Sequence, residues 1–471
     1  MENVLVIMSD EHQRRALSSA GHSIVQTPNL DALAASGTTF TNCWTPSPIC
    51  VPARASLATG RWAHEIGAWD SVQAYTGEPE GWAHSMRAAG SDVVSFGKLH
   101  HRSNADDDGF TDQHLPMNIV GGKGWLQALP RRDPIPYDEA AELAKDVGIG
   151  ETTYTRYDRR VTEVACEWLT SPDRSNVPWT AFVSLVSPHY PLSAPEEFAA
   201  MYPFDEVPPP EIGKVEHNNE AVKRMQQFLN YGDYFDAETT ARARAAYFAL
   251  CSYMDDNVGK VLAALDESGQ RDNTRIIYTS DHGELLGNRG LWCKSFMYED
   301  SVAVPMIVSG PGVPAGKTVD ANVNLVDLAP TITETAGAAY DGPGESLVHR
   351  AHHPDSDRPG FSEYHDGGSA TGSFAIRTGE WKYVHHEDFE PELYNVVEDP
   401  DELIDLAGEV SVSSEQSACA RILDELVDTT AANNAAFASQ VQLIEQFGGR
   451  DQLAEVFRFN HTPIPDLGTG D

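Results

Sequence analysis

The sequence has little positive charge, and above all little lysine. Its 471 residues include 33 lysine and arginine residues against 71 aspartate and glutamate residues, and only nine of the basic residues are lysine. The formal net charge of −38 repels nucleic acids and anionic membrane surfaces. We therefore expect no nucleic-acid partner and no membrane partner. A site that binds an anionic substrate must supply its own local positive charge.

The sequence also lacks long apolar runs and a cysteine framework. No run of about 18 apolar residues occurs, so no transmembrane helix is predicted. The six cysteines are scattered without the regular spacing of a disulfide scaffold. No signal-peptide pattern is visible, because the chain enters a strand-like run already at Val4. These observations predict a cytoplasmic protein.

Short apolar runs alternate with helical patterns along most of the chain. The runs lie at 4–8, 92–96, 180–186, 275–279 and 305–308, and helical patterns lie at 28–37, 157–169 and 239–265. Continuous apolar runs indicate strands that are buried on both faces. The pattern predicts an α/β fold with a large, mostly parallel sheet sandwiched by helices.

The pattern changes near residue 360. Strand patterns at 373–377 and 381–385 flank Thr378-Gly379-Glu380, which is typical of a hairpin. We predict an α/β domain over 1–360 and a C-terminal subdomain over 361–447, made of a small antiparallel sheet and one helix over 414–447. Residues 448–471 are predicted to form an extended tail. Its apolar and aromatic residues indicate packing either over a neighbouring subunit or back on its own: Phe457, Phe459, His461 and Ile464.

Chemically active side chains follow four of the predicted strands. Ligands of open α/β sheets bind at the carboxyl ends of the strands, so these side chains are expected to meet. Taken alone, Asp10-Glu11 could equally be a helix N-cap. Together the strand ends predict a site for one divalent cation, in which carboxylates favour Ca²⁺, Mg²⁺ or Mn²⁺ and an imidazole shifts the balance toward Mn²⁺. The side chains at the four strand ends are Asp10, Glu11, Lys98, His100, His189, Asp281 and His282, and the cation site among them is Asp10, Asp281 and His282, with Glu11 as an additional candidate.

A second candidate feature is the segment Cys50-Val51-Pro52-Ala53-Arg54. A proline near its start and Gly60 at its end bracket a short helix. Cys50 then lies at the helix N-terminus, which attracts anions, and Arg54 lies one turn further on the same face. A nucleophile beside an arginine is suited to processing an anion. The alternative is a small buried cysteine with a surface arginine.

These motifs resemble those of sulfatases in the alkaline phosphatase superfamily, over nearly the whole chain. Cys-x-Pro-x-Arg followed by ASLATG is similar to the sulfatase signature that the formylglycine-generating enzyme recognises. The run DHGELLGNRGLW is most similar to choline-sulfatase-like enzymes and related phosphonate monoester hydrolases. Further matching stretches are Ser9-Asp10-Glu11, residues 27–31, residues 97–100, residues 187–189 and residues 392–395.

The resemblance implies that Cys50 is oxidised to formylglycine, whose hydrate is the nucleophile. It also implies that Asp10, Asp281 and His282 hold one divalent cation, Ca²⁺ or Mn²⁺, with Glu11 as a fourth ligand. Relatives usually carry a shorter ligand at the position of Glu11, so this carboxylate either binds the metal directly or lies behind the ligands.

The resemblance also implies roles for the remaining candidate residues, which would contact the formylglycine or the sulfate. Arg54 would brace the formylglycine, Lys98 and His100 would polarise its hydroxyls, and His189 and Lys294 would hold the sulfate and assist the leaving group. The implied reaction is hydrolysis of a small-molecule sulfate ester, which releases an alcohol or phenol and inorganic sulfate. The alternative is a phosphonate monoester or phosphodiester hydrolase with the same site. A homo-oligomer is also implied.

Overall fold

The computed structural model of the chain describes residues 1–137, 139–354, 358–456 and 461–468. The strands are β1 (Asn3–Asp10), β2 (Gly37–Trp44), β3 (Asp92–Lys98), β4 (Asp112–Met117), β5 (Gly148–Ile149), β6 (Trp179–Pro188), β7 (Ser193–Ala194), β8 (Thr274–Ser280), β9 (Ala303–Val304), β10 (Met306–Ser309), β11 (Lys317–Asn324), β12 (Gly360–Tyr364), β13 (Ser373–Thr378), β14 (Trp381–His386) and β15 (Glu392–Asn395).

The α-helices are α1 (Pro28–Ser36), α2 (Cys50–Thr59), α3 (Ala63–Ile66), α4 (Trp82–Ala88), α5 (Glu139–Lys145), α6 (Thr153–Leu169), α7 (Glu196–Ala199), α8 (Glu220–Leu229), α9 (Ala237–Glu267), α10 (Glu299–Val302), α11 (Leu328–Thr333), α12 (Leu347–His352), α13 (Ser413–Leu426), α14 (Thr429–Gln446) and α15 (Arg450–Ala454). Short 3₁₀ helices connect several of these elements.

The large sheet has the strand order β11-β2-β10-β8-β1-β6-β3-β4, with β9 paired to β2. At its centre, β1 pairs in parallel with β8 on one side and with β6 on the other. β3 also pairs in parallel with β6 and with β4. β10 is antiparallel to both of its neighbours. The predicted α/β fold with a mostly parallel sheet is therefore confirmed.

Helices cover both faces of this sheet, which explains the unbroken apolar runs. Along β1, Val4 and Val6 pack in one hydrophobic cluster, whereas Leu5 and Ile7 pack in another. This division follows from the two-residue side-chain period of a strand. The cluster around Leu5 includes apolar residues of α6 and α9, and the cluster around Val4 includes those of α4 and α11.

A small antiparallel sheet, β12-β13-β14-β15, follows the large one, and the predicted hairpin is its β13–β14 pair. The prediction of a single helix over 414–447 is wrong, because α13 and α14 are separate helices. Val427 is extended between them at φ −154°, and Asp428 Oδ1 accepts the Ala431 backbone N–H at 2.9 Å to cap α14. The domain boundaries themselves stay predictions.

The tail is less extended than the sequence predicts. It contains α15, which buries Leu453 in a cluster with Leu126 and Leu129. Residues 461–468 have no regular structure, but Ile464 packs against the sheet core of its own chain. Phe457 and Phe459 lie outside the described residues. Among the helices that the structure describes, none is long and apolar enough to cross a membrane.

Candidate active site

Four adjacent parallel strands bring the predicted site residues to one edge of the large sheet. β8, β1, β6 and β3 lie side by side, so the residues at their carboxyl ends converge. Lys294 joins them from the loop after β8, and α2 contributes two more side chains. All ten predicted residues are buried, with His100 the most exposed at 7%: Asp10, Glu11, Cys50, Arg54, Lys98, His100, His189, Asp281, His282 and Lys294.

Cys50 opens α2, as the sequence predicts, and Gly60 ends it in a left-handed conformation at φ +69°. The preceding Ile49 is extended and forms no side-chain cap, so the positive end of the helix faces the site without a capping side chain. Cys50 Sγ lies 3.1 Å from Nε2 of His282 and 3.7 Å from Oδ1 of Asp10. The candidate nucleophile position therefore adjoins the predicted metal ligands.

Arg54 lies one turn further along α2 and forms hydrogen bonds to residues at the ends of three strands. Its Nε donates to Asp281 Oδ2 at 2.8 Å, and its Nη2 donates to Asp10 Oδ2 at 3.0 Å. Its Nη1 donates to the Lys98 carbonyl at 2.7 Å and to Ser184 Oγ at 3.0 Å. The alternative of a surface arginine is excluded, since Arg54 is only 2% exposed. The guanidinium holds both carboxylates in fixed orientations.

The donor set around Cys50 fits a divalent cation. Asp10, Cys50, Asp281 and His282 offer ligand atoms that all lie within 4.8 Å of one another. His282 Nδ1 donates to the Gly283 carbonyl at 3.0 Å, so the neutral ring presents its Nε2 lone pair to the cluster. Burial lowers the pKa of His282, which favours this neutral form.

Asp10 remains a carboxylate although it is fully buried. Burial alone would raise its pKa, but the positive charges of Lys98 and Arg54 hold the pKa of Asp10 well below its ordinary value. Lys98 Nζ pairs directly with Asp10 Oδ2. An ionised oxygen ligand is therefore available at the end of β1.

Glu11 takes a different direction from the other predicted ligands. Its backbone is left-handed at φ +65°, and its Oε2 lies 3.0 Å from Lys294 Nζ and 3.3 Å from His189 Nε2. It groups with Asp10 and His189, and separately with Glu284 and Cys293, rather than with the group that contains Cys50. Its role as a fourth metal ligand stays a prediction.

The environment of Glu11 favours a shared proton. Among the described residues, Oε1 of Glu11 has no hydrogen-bond donor. Burial raises the pKa of Glu11 to about 8, and it also raises the pKa of the neighbouring Glu284. The two buried carboxyl groups repel each other when both are ionised, and Lys294 beside Glu11 offsets this repulsion only in part. The negative charge of these two carboxyl groups can therefore be compensated by a proton or by a bound cation next to Glu11.

His189 and Lys294 form a directed pair. His189 Nδ1 donates to the Tyr190 carbonyl at 2.7 Å, which leaves Nε2 to accept from Lys294 Nζ at 2.8 Å. Burial lowers the pKa of His189 well below its ordinary value. Burial would also lower the pKa of Lys294, but Cys50 and Glu11 hold it well above its ordinary value. The pair therefore presents a neutral imidazole and a cationic amine.

His100 is held by the C-terminal tail, which the sequence places over a neighbouring subunit or back on its own. Its Nε2 hydrogen-bonds Thr462 Oγ1 at 3.0 Å, and the Thr462 carbonyl accepts from Tyr154 OH at 2.8 Å. The His461 ring lies edge-on to Tyr154 with centroids 5.0 Å apart. The described tail thus reaches the pocket of its own chain. Sequence reasoning missed Thr462 and Tyr154, because neither belongs to a motif.

A pocket of about 840 Å³ opens over Cys50. Ser71 lies in its wall and is anchored by a hydrogen bond from its Oγ to Asp366 Oδ2 at 2.5 Å. The remaining wall is largely aromatic and apolar, so the pocket can hold the non-ionic part of an ester. These residues are Ile49, Val51, Ile119, Val120, Trp125, Tyr137, Tyr154, Tyr190, Leu229 and Tyr231.

Comparisons with known proteins show two matching family models and several similar proteins. The family described as Sulfatase matches residues 2–338, and the family described as N-sulphoglucosamine sulphohydrolase, C-terminal, matches residues 287–429. The chain is 32% identical over 423 residues to a choline-sulfatase of Rhizobium meliloti (strain 1021), covering 86% of this chain and 82% of that protein. It is 29% identical over 434 residues to arylsulfatase K of Danio rerio, covering 86% and 80%.

Solved structures share the fold. A phosphonate monoester hydrolase of Agrobacterium radiobacter superposes with a TM-score of 0.73 at 23% identity, over 90% of this chain and 95% of that one. A protein in complex with its substrate D-glucosamine-2-N,6-O-disulfate superposes with a TM-score of 0.75 at 23% identity, over 92% and 99%.

The chain and these solved structures share the alkaline phosphatase-like fold. The match over 2–338 and the similarity to the choline-sulfatase are decisive for the narrower assignment. The chain belongs to the sulfatase family and is a sulfuric ester hydrolase.

Proposed function

We propose that this protein hydrolyses small-molecule sulfate esters through a formylglycine made from Cys50, assisted by one divalent cation, Ca²⁺ or Mn²⁺. The products are an alcohol or phenol and inorganic sulfate. The observation that carries the proposal is the position of Cys50. Its Sγ lies at a helix start and 3.1 Å from His282, within a group of metal-binding side chains.

The unmodified thiol is poorly suited to the reaction. Burial raises the pKa of Cys50 to about 12, so little thiolate forms near neutral pH. A hydrated aldehyde at this position supplies one hydroxyl that can attack sulfur and a second that allows the sulfate to be expelled. This argument supports conversion of Cys50 to formylglycine by the formylglycine-generating enzyme.

The cation would be held by Asp10, Asp281 and His282. When bound, it supplies positive charge beside the sulfate oxygens and the nucleophile. Arg54 keeps Asp10 and Asp281 in place through two hydrogen bonds. Glu11 is the additional ligand that we propose, and its donor-free Oε1 supports that role.

The cationic side chains bind the anion. Lys98 and Lys294 both line the pocket, and they supply the local positive charge that a chain with net charge −38 otherwise lacks. His100 also lines this pocket, and its Nδ1 has no hydrogen-bond partner among the described residues. We assign Lys98 and His100 to the nucleophile. We assign Lys294 and His189 to the sulfate and the leaving oxygen.

The alternative is a phosphonate monoester or phosphodiester hydrolase with the same residues. Phosphoryl and sulfuryl groups are both tetrahedral and anionic, and the cations around Cys50 suit either one. The resemblance of the run DHGELLGNRGLW to phosphonate monoester hydrolases supports this second candidate. A homo-oligomer and a cytoplasmic location are further proposals that rest on the sequence alone.

The test combines conversion with substrate preference. The chain is expressed with and without a formylglycine-generating enzyme, and the Cys50 peptide is analysed by mass spectrometry for replacement of the thiol by an aldehyde. Rates are then compared on nitrophenyl sulfate, nitrophenyl phenylphosphonate and a nitrophenyl phosphodiester. Highest kcat/KM on the sulfate, in proportion to conversion, is expected. Preference for the phosphonate or the diester would favour the alternative, and turnover independent of conversion would contradict the formylglycine mechanism.

A further inference from the structure

A second groove, rich in arginine, adjoins the active-site pocket. It is open to solvent and has a volume of about 1460 Å³, and Arg131, Arg132 and Arg224 lie in its wall. Tyr137 lines both the groove and the pocket. A substrate that extends from Cys50 past Tyr137 would therefore enter the groove.

Two of these arginines form no ion pair with any carboxylate of the described residues. The guanidinium carbons of Arg131 and Arg132 lie 4.4 and 4.0 Å from the centroid of the Phe437 ring. Within the described parts of the chain, neither arginine forms an ion pair with a carboxylate, although Asp366 and Asp70 act on Arg131 from a greater distance. Arg131 is 3% exposed and donates to Ser369 and Gln440, yet its Nη2 has no partner there. Two like charges on one ring repel each other, and a bound anion would relieve this repulsion.

The lining of the groove includes a third cation. Arg224 lies over the Phe389 ring at 5.3 Å and bonds Glu220 at 3.0 Å. Asp388 is the only described acidic residue in the wall of the groove, which therefore holds three arginines against one aspartate. The groove therefore has an excess of basic residues, whereas the whole chain has more than twice as many acidic as basic residues.

Aromatic side chains form the boundary that the groove shares with the pocket. Tyr137 contacts Trp125 and Phe228 with ring centroids 5.8 and 5.7 Å apart. Gly368 has φ +81°, and a Cβ atom there would lie 2.5 Å from the Phe228 ring. The close approach of the Gly368 backbone therefore helps to position the Phe228 ring at this boundary.

We propose that this groove is an accessory subsite for a second anionic group, a carboxylate or a sulfate, carried on the leaving group of the substrate. Planar guanidinium groups bind both of these anions in a bidentate manner. The proposal rests on the proposed sulfate ester hydrolysis, and it narrows the substrate class to esters with at least two negative groups.

The experiment compares three aryl sulfates that differ only at the end of one flexible spacer, which carries an amide, a carboxylate or a sulfate. The variants are Arg132→Gln and Arg224→Gln. The control is Arg421→Gln, an exposed arginine of α13 outside the groove, which changes the net charge equally. Dissociation constants of the matching non-hydrolysable sulfonates are measured on the same proteins.

We expect the wild-type enzyme to prefer the charged substrates, mainly through a lower KM. Arg132→Gln should reduce the charged-to-uncharged ratio of kcat/KM by about fivefold, as for a partly exposed ion pair. The preferred spacer end identifies the anion. Equal ratios in the Arg132, Arg224 and Arg421 variants would overturn the subsite but not the activity. If no sulfate ester is turned over, the proposed function fails, and sulfonate affinities that do not depend on Arg132 would overturn the subsite separately.

Discussion

The Sγ atom of Cys50 lies 3.1 Å from Nε2 of His282, although 232 residues separate the two in the chain. Cys50 begins α2, and His282 follows the end of β8. The contact exists because β8 is the parallel neighbour of β1 in the sheet, so that Asp281 and Asp10 reach the same edge, and Arg54 of α2 bonds both carboxylates. The helix that carries the nucleophile position is thus fastened directly to the predicted metal ligands.

Replacing Cys50 should abolish turnover. For Cys50→Ala we expect kcat/KM on nitrophenyl sulfate to fall by roughly three decades or more, as when a covalent nucleophile is removed. Cys166→Ala is the control, since Cys166 is a half-buried cysteine on α6, remote from the site. It should keep wild-type kinetics. Wild-type turnover by the Cys50 variant would rule out a covalent role for this residue.

Removing the metal should also abolish turnover. Chelation should stop activity, and Asp281→Ala should lose the bound cation in elemental analysis, because one of the two carboxylates that Arg54 orients is gone. Exposed Asp388 gives a matched control, and Asp388→Ala should keep its metal. The variant Glu11→Gln tests whether Glu11 binds the metal or only positions its neighbours. If the metal affinity is unchanged, Glu11 is not a ligand, and the other three ligands are unaffected. A metal-free protein with full activity would contradict the site.

The hydrogen bond between Thr462 of the tail and His100 should contribute to kcat. Thr462→Val removes the hydrogen bond to His100 Nε2, and we expect kcat to fall by about fivefold, the value of an ordinary hydrogen bond. Thr462→Ser keeps the hydroxyl and should restore the rate, whereas a purely structural role of the methyl group would leave the serine variant impaired. Kinetics over a range of pH and unfolding curves for both variants distinguish these results.

Glu363 should make stability depend on pH. Its Oε1 accepts from His64 Nδ1 at 2.9 Å, and its Oε2 accepts from His365 Nε2 at 3.0 Å. Burial alone would raise the pKa of Glu363, but His64 and His365 bring it down to about 2. A folded pKa below the unfolded one stabilises the protein above the unfolded pKa, and this contribution is lost as the pH falls toward 2.

Denaturant unfolding of Glu363→Gln and the wild-type protein tests this prediction. Near pH 5.5 the variant should be less stable by on the order of 3 kcal/mol, and the difference should shrink as the pH falls from about 4.5 to 2. The stability difference should decrease a second time as the pH rises above about 6.5 and through the pKa of His64, because Glu363 raises that pKa against the effect of burial and the charge of His64 is lost there. A difference that does not change with pH would contradict the assignment.

Much of the site could be predicted from strand ends. In a parallel sheet, adjacent carboxyl ends must meet, so Asp10, Lys98, His189 and Asp281 could be grouped from sequence without knowing the strand order. The contact of Thr462 and the aromatic wall of the pocket could not be predicted in this way. They depend on how the tail and the long loops pack against distant segments, and such packing leaves no periodic pattern in the sequence. The separate α13 and α14 were missed for a related reason, since the pattern of apolar residues continues across Val427.

The sequence by itself determined the fold class, the family and the identity of the buried polar side chains. Each depends on local patterns, namely unbroken apolar runs, a proline and a glycine around a short helix, and polar residues after strands. The tertiary structure alone decided where those side chains point. The left-handed backbone of Glu11 turns its carboxylate toward Lys294 and His189, and packing of the tail brings Thr462 to His100. Such directions depend on contacts between segments far apart in the chain, which local chemistry does not specify.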